Sequence, residues 1–342
     1  MANNHLNRIC FSLHGLNLHV LTNNSWIQSA VLQLLDYFHV RNEPQTAHIT
    51  VTLVDRDVPG PSWCTPPAGA KLHYTPSPDD KLDIAQLGVD ALNIYGDEEG
   101  RRFFIDFGKM GRVAYRLDQG VAYGHVVRPE DMGPKVFSST VFMLVLSHLL
   151  AARGYFHAHC SAVEKNGRGI LLPGFSGSGK TTACIALIRK GFGFLGDDRP
   201  LVSSSDNGKL RVFAFPEEID VTDKSISIFP ELNQAGALED QGPGRKKSFM
   251  AERVYPGAIT EFCVPEFILY PDIFPGPESY LEEMPKNEAL SAFLPHSLFV
   301  MDRKTTGRHF DLLYDLIQST ECYRLKFGSD ILSLPDLVET LL

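Results

Sequence analysis

Hydrophobic and polar residues alternate with a period of two along much of the first third of the chain. His48 to Val54 alternates as a half-buried strand does. Four further segments follow, near 92–95, 101–107, 112–118 and 121–127, separated by the turn sequences GDEEG, GKMG and DQG. Six of the 22 prolines fall within residues 57–79, which predicts a long irregular loop. Together these patterns predict a β-rich N-terminal domain over residues 1–128.

One helix interrupts that pattern. Apolar residues from Ile27 to Phe38 recur at helical spacing, and Asn24 or Ser25 precedes them as a candidate N-cap. A boundary is predicted at Pro129–Pro134, followed by a second helix over about 135–153. Its uncharged run, 136–152, is about one turn short of a membrane span and contains serines and a histidine, so we predict a buried helix and no membrane contact.

Beyond residue 154 the pattern changes to strand, turn, strand, glycine-rich loop, helix and strand. Near the end of the chain, 310–318 is predicted to be helical, 322–327 a strand and 335–342 a last short helix. We therefore predict a second domain over residues 129–342. It belongs to the α/β class, with an α+β arrangement overall.

The glycine-rich loop carries the strongest chemical signal. Residues 174–181, Gly-Phe-Ser-Gly-Ser-Gly-Lys-Thr, fit the phosphate-binding pattern G-x-x-x-x-G-K-[ST] at every fixed position. Glycines let backbone N–H groups converge on phosphate oxygens, and the following helix adds positive charge at its N-terminus. The alternative is a flexible turn before a helix. The candidate nucleotide-binding residues in the loop and helix are Gly174, Ser176, Gly177, Ser178, Gly179, Lys180, Thr181 and Thr182.

Two adjacent acids follow the next predicted strand. Phe192 to Gly196 is short and apolar and ends at Asp197 and Asp198. If the strands before the loop and before the acids are parallel neighbours, both sequences lie at the carboxyl ends of strands, where α/β sheets bind ligands. One carboxylate could then hold Mg²⁺ and the other accept a proton from an attacking hydroxyl. The alternative is a solvated acidic turn.

A histidine is predicted beside the loop by hairpin register. Phe156 to Val163 alternates as one strand, and Asn166-Gly167 is a two-residue hairpin signal. With that turn, paired positions sum to 333 and His159 lies opposite Gly174, with His157 on the same strand face. His159 could then assist the proton-accepting acid or contact a phosphate. Alternatively, it only satisfies hydrogen bonds at a strand end, and a slip of one residue would turn it away.

The stretch His159 to Arg199 resembles the catalytic core of the bacterial HPr kinase/phosphorylase family, whose fold is shared with ATP-dependent phosphoenolpyruvate carboxykinase. Fifteen residues separate His159 from Gly174, and twenty-three separate Gly174 from Asp197. Both spacings agree with that family. The likeness is close over about forty residues and looser over 130–342.

The resemblance implies a Mg²⁺- and ATP-dependent kinase that phosphorylates a hydroxyl, most often of serine, on a peptide or small-protein acceptor. It implies that Lys180 and Thr181 bind nucleotide phosphate and Mg²⁺, with Asp198 on the metal side. Asp197 would be the general base and His159 would support it. Because the family often forms hexamers, a homo-oligomer is also implied.

The chain departs from the family in two ways. The later glycine-rich signature with its metal-ligating glutamate is not found, although Glu217 and Glu218 stand at a suitable distance along the chain. The N-terminal third does not resemble the usual regulatory domain and carries no catalytic motif, so acceptor recognition or subunit contacts are its expected roles. HPr-kinase-like proteins that modify a precursor peptide are therefore the better comparison, and a phosphorylase, a small-metabolite kinase and a non-catalytic nucleotide- or peptide-binding accessory protein remain alternatives.

Composition limits the choice of partner and compartment. With 32 Lys+Arg against 41 Asp+Glu the formal net charge is -9, which argues against nucleic acid and requires that an anion be held locally. The loop 241–247, QGPGRKK, is locally basic, so Arg245 and Lys246 could close over the γ-phosphate or an acidic acceptor, or form a solvated surface loop. The six cysteines lie far apart without a CxxC pair, and no signal-peptide pattern opens the chain, so we expect a reducing, cytoplasmic setting.

Overall fold

Two units of different construction make up the chain. The computed structural model describes residues 6–41, 44, 46–55, 60–66, 70–74, 91–175, 177–205, 207–233, 238–240 and 247–342. The first unit comprises 1–153 and 300–306, and the second comprises 154–299 and 307–342. Each is a mixed α and β structure, and together they contain several sheets, as an α+β protein does.

The first unit is built on one sheet. Its described strands are β1 (Asn7–Leu13), β2 (Leu16–Thr22), β3 (Ile49–Val54), β4 (Lys71–Tyr74), β5 (Asn93–Gly96), β6 (Arg102–Asp106), β7 (Gly111–Arg116) and β8 (Val121–Val126). They lie in the order β1-β2-β3-β8-β7-β6-β5-β4. The strand predicted at 48–54 and the four strands predicted from 92 to 127 are confirmed as β3 and β5 to β8. The β1–β2 hairpin was not predicted. Its two-residue turn, His14-Gly15, has positive φ at both positions (49° and 91°), and histidine is a weak signal for that turn.

Two helices belong to this unit. Helix α1 (Ser25–Leu35) is capped by Asn24, whose Oδ1 accepts hydrogen bonds from the backbone N–H groups of Trp26 (2.8 Å) and Ile27 (3.0 Å). Helix α2 (Pro134–Ala151) is long and apolar enough to cross a membrane by length and composition alone, yet 67% of it is buried inside the protein. The Trp26 ring lies edge-on to Phe137 of α2 at 5.5 Å. Helix α2 therefore serves as a core helix of the first unit.

The boundary between the two units differs from the predicted one, because of the way α2 packs. The sequence placed the boundary at 128–129, whereas the two units divide between Arg153 and Gly154. The breaker residues Pro129–Pro134 end the meander, but the apolar helix that follows packs with it. A turn signal marks the end of an element, and packing decides to which unit the next element belongs.

The second unit has a larger sheet of β9 (Phe156–His157), β10 (Cys160–Lys165), β11 (Arg168–Pro173), β12 (Gly193–Gly196), β13 (Leu201–Ser204), β14 (Leu210–Phe213), β18 (Phe262–Ile273), β19 (Tyr280–Glu283) and β20 (Glu321–Phe327). The order is β12-β10-β11-β18-β14-β13-β9, with β20 also paired to β18 and β19 to β20. A small sheet holds β15 (Ile219–Val221), β16 (Glu239–Asp240) and β17 (Lys247–Phe249). The helices are α3 (Lys180–Arg189), α4 (Asp223–Ile228), α5 (Ala251–Val254), α6 (Lys286–Ser297), α7 (Arg303–Ser319), whose first residues belong to the first unit, and α8 (Leu334–Glu339).

The C-terminal elements predicted at 310–318, 322–327 and 335–342 are confirmed as α7, β20 and α8, although α8 ends at Glu339. Two predictions near the glycine-rich loop need correction. The strand predicted over Phe156 to Val163 is interrupted, because β9 pairs with β13 while β10 pairs with β11. Strands β11 and β12 are also not neighbours, because β10 lies between them and is antiparallel to both. Two strands that are each antiparallel to a third run in the same direction, so their carboxyl ends still reach one edge of the sheet.

Candidate functional site

The glycine-rich loop, residues 174–181, joins the end of β11 to the start of α3. Gly174 and Gly179 have φ values of 153° and 99°. A Cβ at Gly174 would lie 2.7 Å from the Ser178 hydroxyl, and one at Gly179 would overlap the Phe327 ring. Both positions therefore require glycine for backbone conformation and for space. Ser176 lies outside the described residues.

Two polar groups of the loop suit an anionic ligand. The Ser178 hydroxyl oxygen is buried and has no hydrogen-bond partner among the described residues. The ammonium group of Lys180, which is 7% exposed, donates to the carbonyl oxygen of Gly174 at 2.5 Å, directly across the loop. A phosphate oxygen could accept from both groups, in addition to the backbone N–H groups at the start of α3.

The hairpin before the loop has the predicted register. Cys160 pairs with Pro173 and Lys165 with Arg168, so the rule that paired positions sum to 333 is confirmed. The next position places His159 beside the loop, with its Nε2 3.4 Å from the Lys180 Nζ. The backbone N–H of His159 donates to Ser297 Oγ at 3.0 Å, which ties this residue to the end of α6.

His157 does not share the surroundings of His159. Its Nδ1 donates to the carbonyl oxygen of Arg199 at 2.8 Å, and its ring lies edge-on to Phe215. Burial lowers the pKa of His157 to about 3, which keeps the imidazole neutral. The break between β9 and β10 explains the separation, because His157 ends β9 whereas His159 lies in the bend that precedes β10.

The two acids after β12 have different environments. Asp197 is 4% exposed, and its carboxylate accepts hydrogen bonds from Ser161 Oγ (2.5 Å) and Thr181 Oγ1 (2.8 Å). Burial, followed by the neighbouring Asp198 charge, raises the pKa of Asp197 to about 6 against the lowering effect of those hydrogen bonds. The Asp198 side chain is 52% exposed, with Oδ1 3.8 Å from His159 Nδ1.

The contacts therefore pair Thr181 with Asp197 and His159 with Asp198. The resemblance implied a different pairing, with Thr181 and Asp198 on the metal side and His159 supporting Asp197. Burial lowers the pKa of His159 and the Lys180 charge lowers it further, while Asp198 acts in the opposite direction. The imidazole is thus biased towards its neutral form, in which a ring nitrogen can accept a proton.

These groups surround one cavity of about 960 Å³ within the second unit. Eight of the predicted site residues line it: His159, Gly177, Gly179, Lys180, Thr181, Thr182, Asp197 and Asp198. Gly174 and Ser178 belong to the same loop but are not among the lining residues. Arg245 and Lys246 fall outside the described residues, as does most of the basic loop.

The cavity also contains residues that the sequence did not single out. They come from the segment before and within α4, from residues 273–277 and from residues 327–331. No short motif marks these segments, and only the fold brings them to the loop. Asp220 contributes a carboxylate to this lining. Glu217 instead pairs with Arg199 at 3.1 Å and Glu218 accepts from Ser248 Oγ at 3.0 Å, and neither is among the lining residues.

The oxygen atoms of Thr181 and Asp197 fit Mg²⁺, which takes hard oxygen ligands and is usually bound through one or two carboxylates plus substrate phosphates. Among the described residues no group of three His, Cys, Asp or Glu side chains is arranged to hold a metal ion. That finding is compatible with Mg²⁺, because phosphate and water oxygens complete its coordination.

No family model matches the chain, and no curated protein matches it in sequence. Among solved structures, the HPr(Ser) kinase/phosphatase from Coxiella burnetii is 14% identical, and the likeness covers 55% of this chain and 92% of that one, with a TM-score of 0.28. A score at that level does not establish a shared fold.

Proposed function

We propose that the protein is a Mg²⁺- and ATP-dependent kinase that transfers a phosphate to a hydroxyl of a peptide or small protein, most often a serine. One observation carries the proposal. The buried Asp197 carboxylate accepts a hydrogen bond from Thr181, the residue that ends the glycine-rich loop, while Lys180, His159 and Asp198 line the same cavity. A loop that served only as a turn would have no need of a buried carboxylate against its threonine.

The loop and Lys180 would bind the phosphates of ATP. The Lys180 ammonium would exchange its contact with the Gly174 carbonyl for a phosphate oxygen, and the N-terminus of α3 would add its partial positive charge. Thr181 and Asp197 would hold Mg²⁺, which when bound neutralises charge on the β- and γ-phosphates. Asp197 must be ionised for that role, and the adjacent Lys180 charge favours ionisation.

Asp198 is the better placed of the two acids to accept the hydroxyl proton. Asp197 is buried and already accepts two hydrogen bonds, whereas Asp198 is half exposed and lies beside His159. In the proposed step the acceptor oxygen bonds to the γ-phosphorus, the bond from that phosphorus to the bridging oxygen breaks, and ADP leaves. The proton passes to the Asp198 carboxylate, with His159 fixing its position.

The acceptor class is inferred from the resemblance rather than from the cavity. The cytoplasmic setting and the homo-oligomer likewise remain predictions, and so does acceptor recognition by the N-terminal unit. A hydroxyl acceptor suits the site because a half-exposed carboxylate at the mouth of a phosphate cavity can receive a proton from an incoming molecule.

The test is transfer of label from γ-labelled ATP, with Mg²⁺, to candidate acceptor peptides encoded nearby. Lys180→Ala and Asp197→Asn should each abolish acceptor labelling, because transfer depends on positioning and charge stabilisation. Lys190→Ala is the matched control, since Lys190 pairs with Asp336 on the surface and does not line the cavity. ATP binding without transfer to any acceptor would indicate an accessory protein. Label transferred to a small metabolite would indicate a small-metabolite kinase, and removal of the phosphate from a phosphorylated peptide by inorganic phosphate, with release of pyrophosphate, would indicate a phosphorylase.

A further inference from the structure

The glycine-rich loop carries one large apolar side chain. Phe175 follows the first glycine of the loop, is 66% exposed and lines the cavity. The phosphate-binding pattern accepts any residue at this position, because the loop cradles phosphate with its backbone N–H groups. Phosphate binding therefore does not account for a phenylalanine here. An exposed aromatic ring at the edge of a cavity is instead typical of a surface that contacts another molecule.

Helix α6 holds this ring in place. The Phe175 ring lies edge-on to the imidazole of His296, in the last turn of α6, with ring centroids 4.0 Å apart. Nε2 of His296 is buried and has no hydrogen-bond partner among the described residues, so water does not reach that edge of the imidazole. Burial and the Lys180 charge lower the pKa of His296, which favours the neutral ring. Phe175 thus offers an exposed face that is already ordered, which reduces the entropy cost of binding.

The phenylalanine is close to the groups proposed for phosphate transfer. The His296 ring lies 6.2 Å from the His159 ring, and Ser297 Oγ accepts a hydrogen bond from the His159 backbone N–H at 3.0 Å. His159 in turn faces Asp198, the proposed proton acceptor, at 3.8 Å. One imidazole therefore separates Phe175 from His159. Since consecutive Cα atoms are about 3.8 Å apart, a peptide whose hydroxyl lies at Asp198 brings its neighbouring side chains within reach of Phe175.

We propose that Phe175 selects the acceptor by binding an aromatic or large aliphatic side chain within two residues of the phosphorylated hydroxyl. This inference rests on the proposed function, and it gives the acceptor a chemical feature that the resemblance does not imply. His296 is a positioning residue that supports the ring. An apolar neighbour gains from burial against Phe175, and an aromatic one gains further from ring contacts. An acidic neighbour gains neither, and the Lys180 charge, which acts on His296, disfavours a basic one.

The experiment uses a positional-scanning library of synthetic peptides, each with one serine, in which the two positions on either side of the serine are varied in turn. Labelling from γ-labelled ATP, with Mg²⁺ and the full chain, gives a rate for each peptide. At one position the wild type should label peptides with phenylalanine or leucine at least about tenfold faster than peptides with alanine or aspartate. Phe175→Ala should reduce the ratio of phenylalanine to alanine peptides to less than about twofold, and Phe175→Tyr should keep it. Phe310→Ala is the matched control, because Phe310 is 40% exposed but does not line the cavity.

A second variant tests the role of His296. His296→Ala should also lower the ratio, and the double variant should give the ratio of Phe175→Ala alone, because His296 acts through the ring. Each ratio compares two peptides on the same protein, so neither partial unfolding nor slower transfer changes it. A ratio that falls further in the double variant would show that His296 contacts the acceptor itself, which contradicts its role as a positioning residue.

The outcomes separate this inference from the proposed function. A wild-type profile without preference overturns the inference and leaves the kinase intact, and so does a preference for charged residues. An apolar preference that survives in Phe175→Ala overturns it as well. If the wild type labels no peptide, or Lys180→Ala labels peptides as the wild type does, the proposed function fails and the inference fails with it.

Discussion

Each unit contains a histidine that faces an aspartate, and the two pairs differ in every physical respect. In the first unit His148 is fully buried, its Nε2 lies 2.8 Å from Asp302 Oδ2, and its Nδ1 accepts from the Tyr115 hydroxyl at 3.0 Å. In the second unit His159 is 40% exposed on its side chain and lies 3.8 Å from a half-exposed Asp198.

The difference shows which pair is available for chemistry. Both ring nitrogens of His148 are occupied, and burial lowers its pKa, so the neutral ring donates to Asp302 and holds no spare proton site. Burial alone would raise the pKa of Asp302, but its hydrogen bonds with His148 and Thr305 lower it below its ordinary value. A pair this fully satisfied stabilises the fold. The looser pair at 3.8 Å leaves room for a ligand between or beside its members.

The largest effect is expected at the His159–Asp198 pair. Asp198→Asn should reduce phosphoryl transfer by about 10²- to 10⁴-fold, the usual contribution of a general base, and change the free energy of unfolding by less than about 0.5 kcal/mol. Initial rates with labelled ATP, combined with urea unfolding, measure both quantities. A variant that keeps its rate would remove Asp198 from the proposed step, and a variant that unfolds more easily would make this pair structural as well.

At the His148–Asp302 pair a substitution should instead change the stability of the fold. Asp302→Ala should lower the free energy of unfolding by about 3 kcal/mol, because it leaves His148 without its partner in the core and removes the carboxylate that accepts from the backbone N–H groups of Lys304 and Thr305. Urea denaturation followed by fluorescence would measure the loss. The exposed Asp311 supplies the control, and an Asp302→Ala protein as stable as Asp311→Ala would contradict the assignment.

A third histidine extends the comparison, because it is buried and no carboxylate among the described residues shifts its pKa. His309 is 1% exposed, its Nδ1 accepts from the Phe299 backbone N–H at 3.0 Å, and burial lowers its pKa to about 4. The unfolded chain, with a pKa near 6.5, takes up this proton while the folded chain does not, so stability falls as the pH falls below about 6.5. The loss from this residue alone should be about 2 kcal/mol between pH 7 and pH 5.

The measurement is the pH dependence of unfolding in the wild type and in His309→Gln. Because the raised pKa of Asp197 contributes a slope of the opposite sign in both proteins, only the difference between the two slopes reports on His309. Parallel curves would show that His309 takes its proton equally in both states.

The smallest expected effect is that of removing the Tyr115 hydroxyl, which donates to His148. Tyr115→Phe should lower the free energy of unfolding by about 1–2 kcal/mol, because His148 Nδ1 loses its donor in a site without solvent. Tyr314→Phe, at a 45% exposed tyrosine, should change the same free energy by less than about 0.5 kcal/mol. Equal effects of the two substitutions would mean that the hydroxyl adds nothing to the His148–Asp302 pair.

Local signals predicted the part of the site that is local in sequence. The Asn166-Gly167 turn fixed the register that brings His159 to the loop, and the glycine spacing predicted the strand, loop and helix around Lys180. The sequence pattern could not separate the two acids, because the burial of Asp197 depends on the contact with Ser161 across the sheet.

Contacts between distant parts of the chain could not be predicted from the sequence pattern. His148 and Asp302 are 154 residues apart, and residues 273–277 meet 327–331 only after β18 and β20 pair in parallel. The strand order around β10 was also missed, because the amphipathic pattern of a strand shows which face is buried but not which strand lies next to it. Such pairings follow from packing over the whole unit.

The turn at Asn166-Gly167 has a consequence for the order of assembly. Its two residues have φ values of 56° and 81°, the left-handed conformation that these residue types adopt readily. Hairpins of this kind close within about 1–10 μs, well before strands that are distant in sequence can find each other. We therefore expect His159 to meet the glycine-rich loop among the earliest native contacts, and β18 and β20 to complete the cavity last. Substitutions in this turn should slow refolding, whereas those at Ile273 or Phe274 should mainly hasten unfolding.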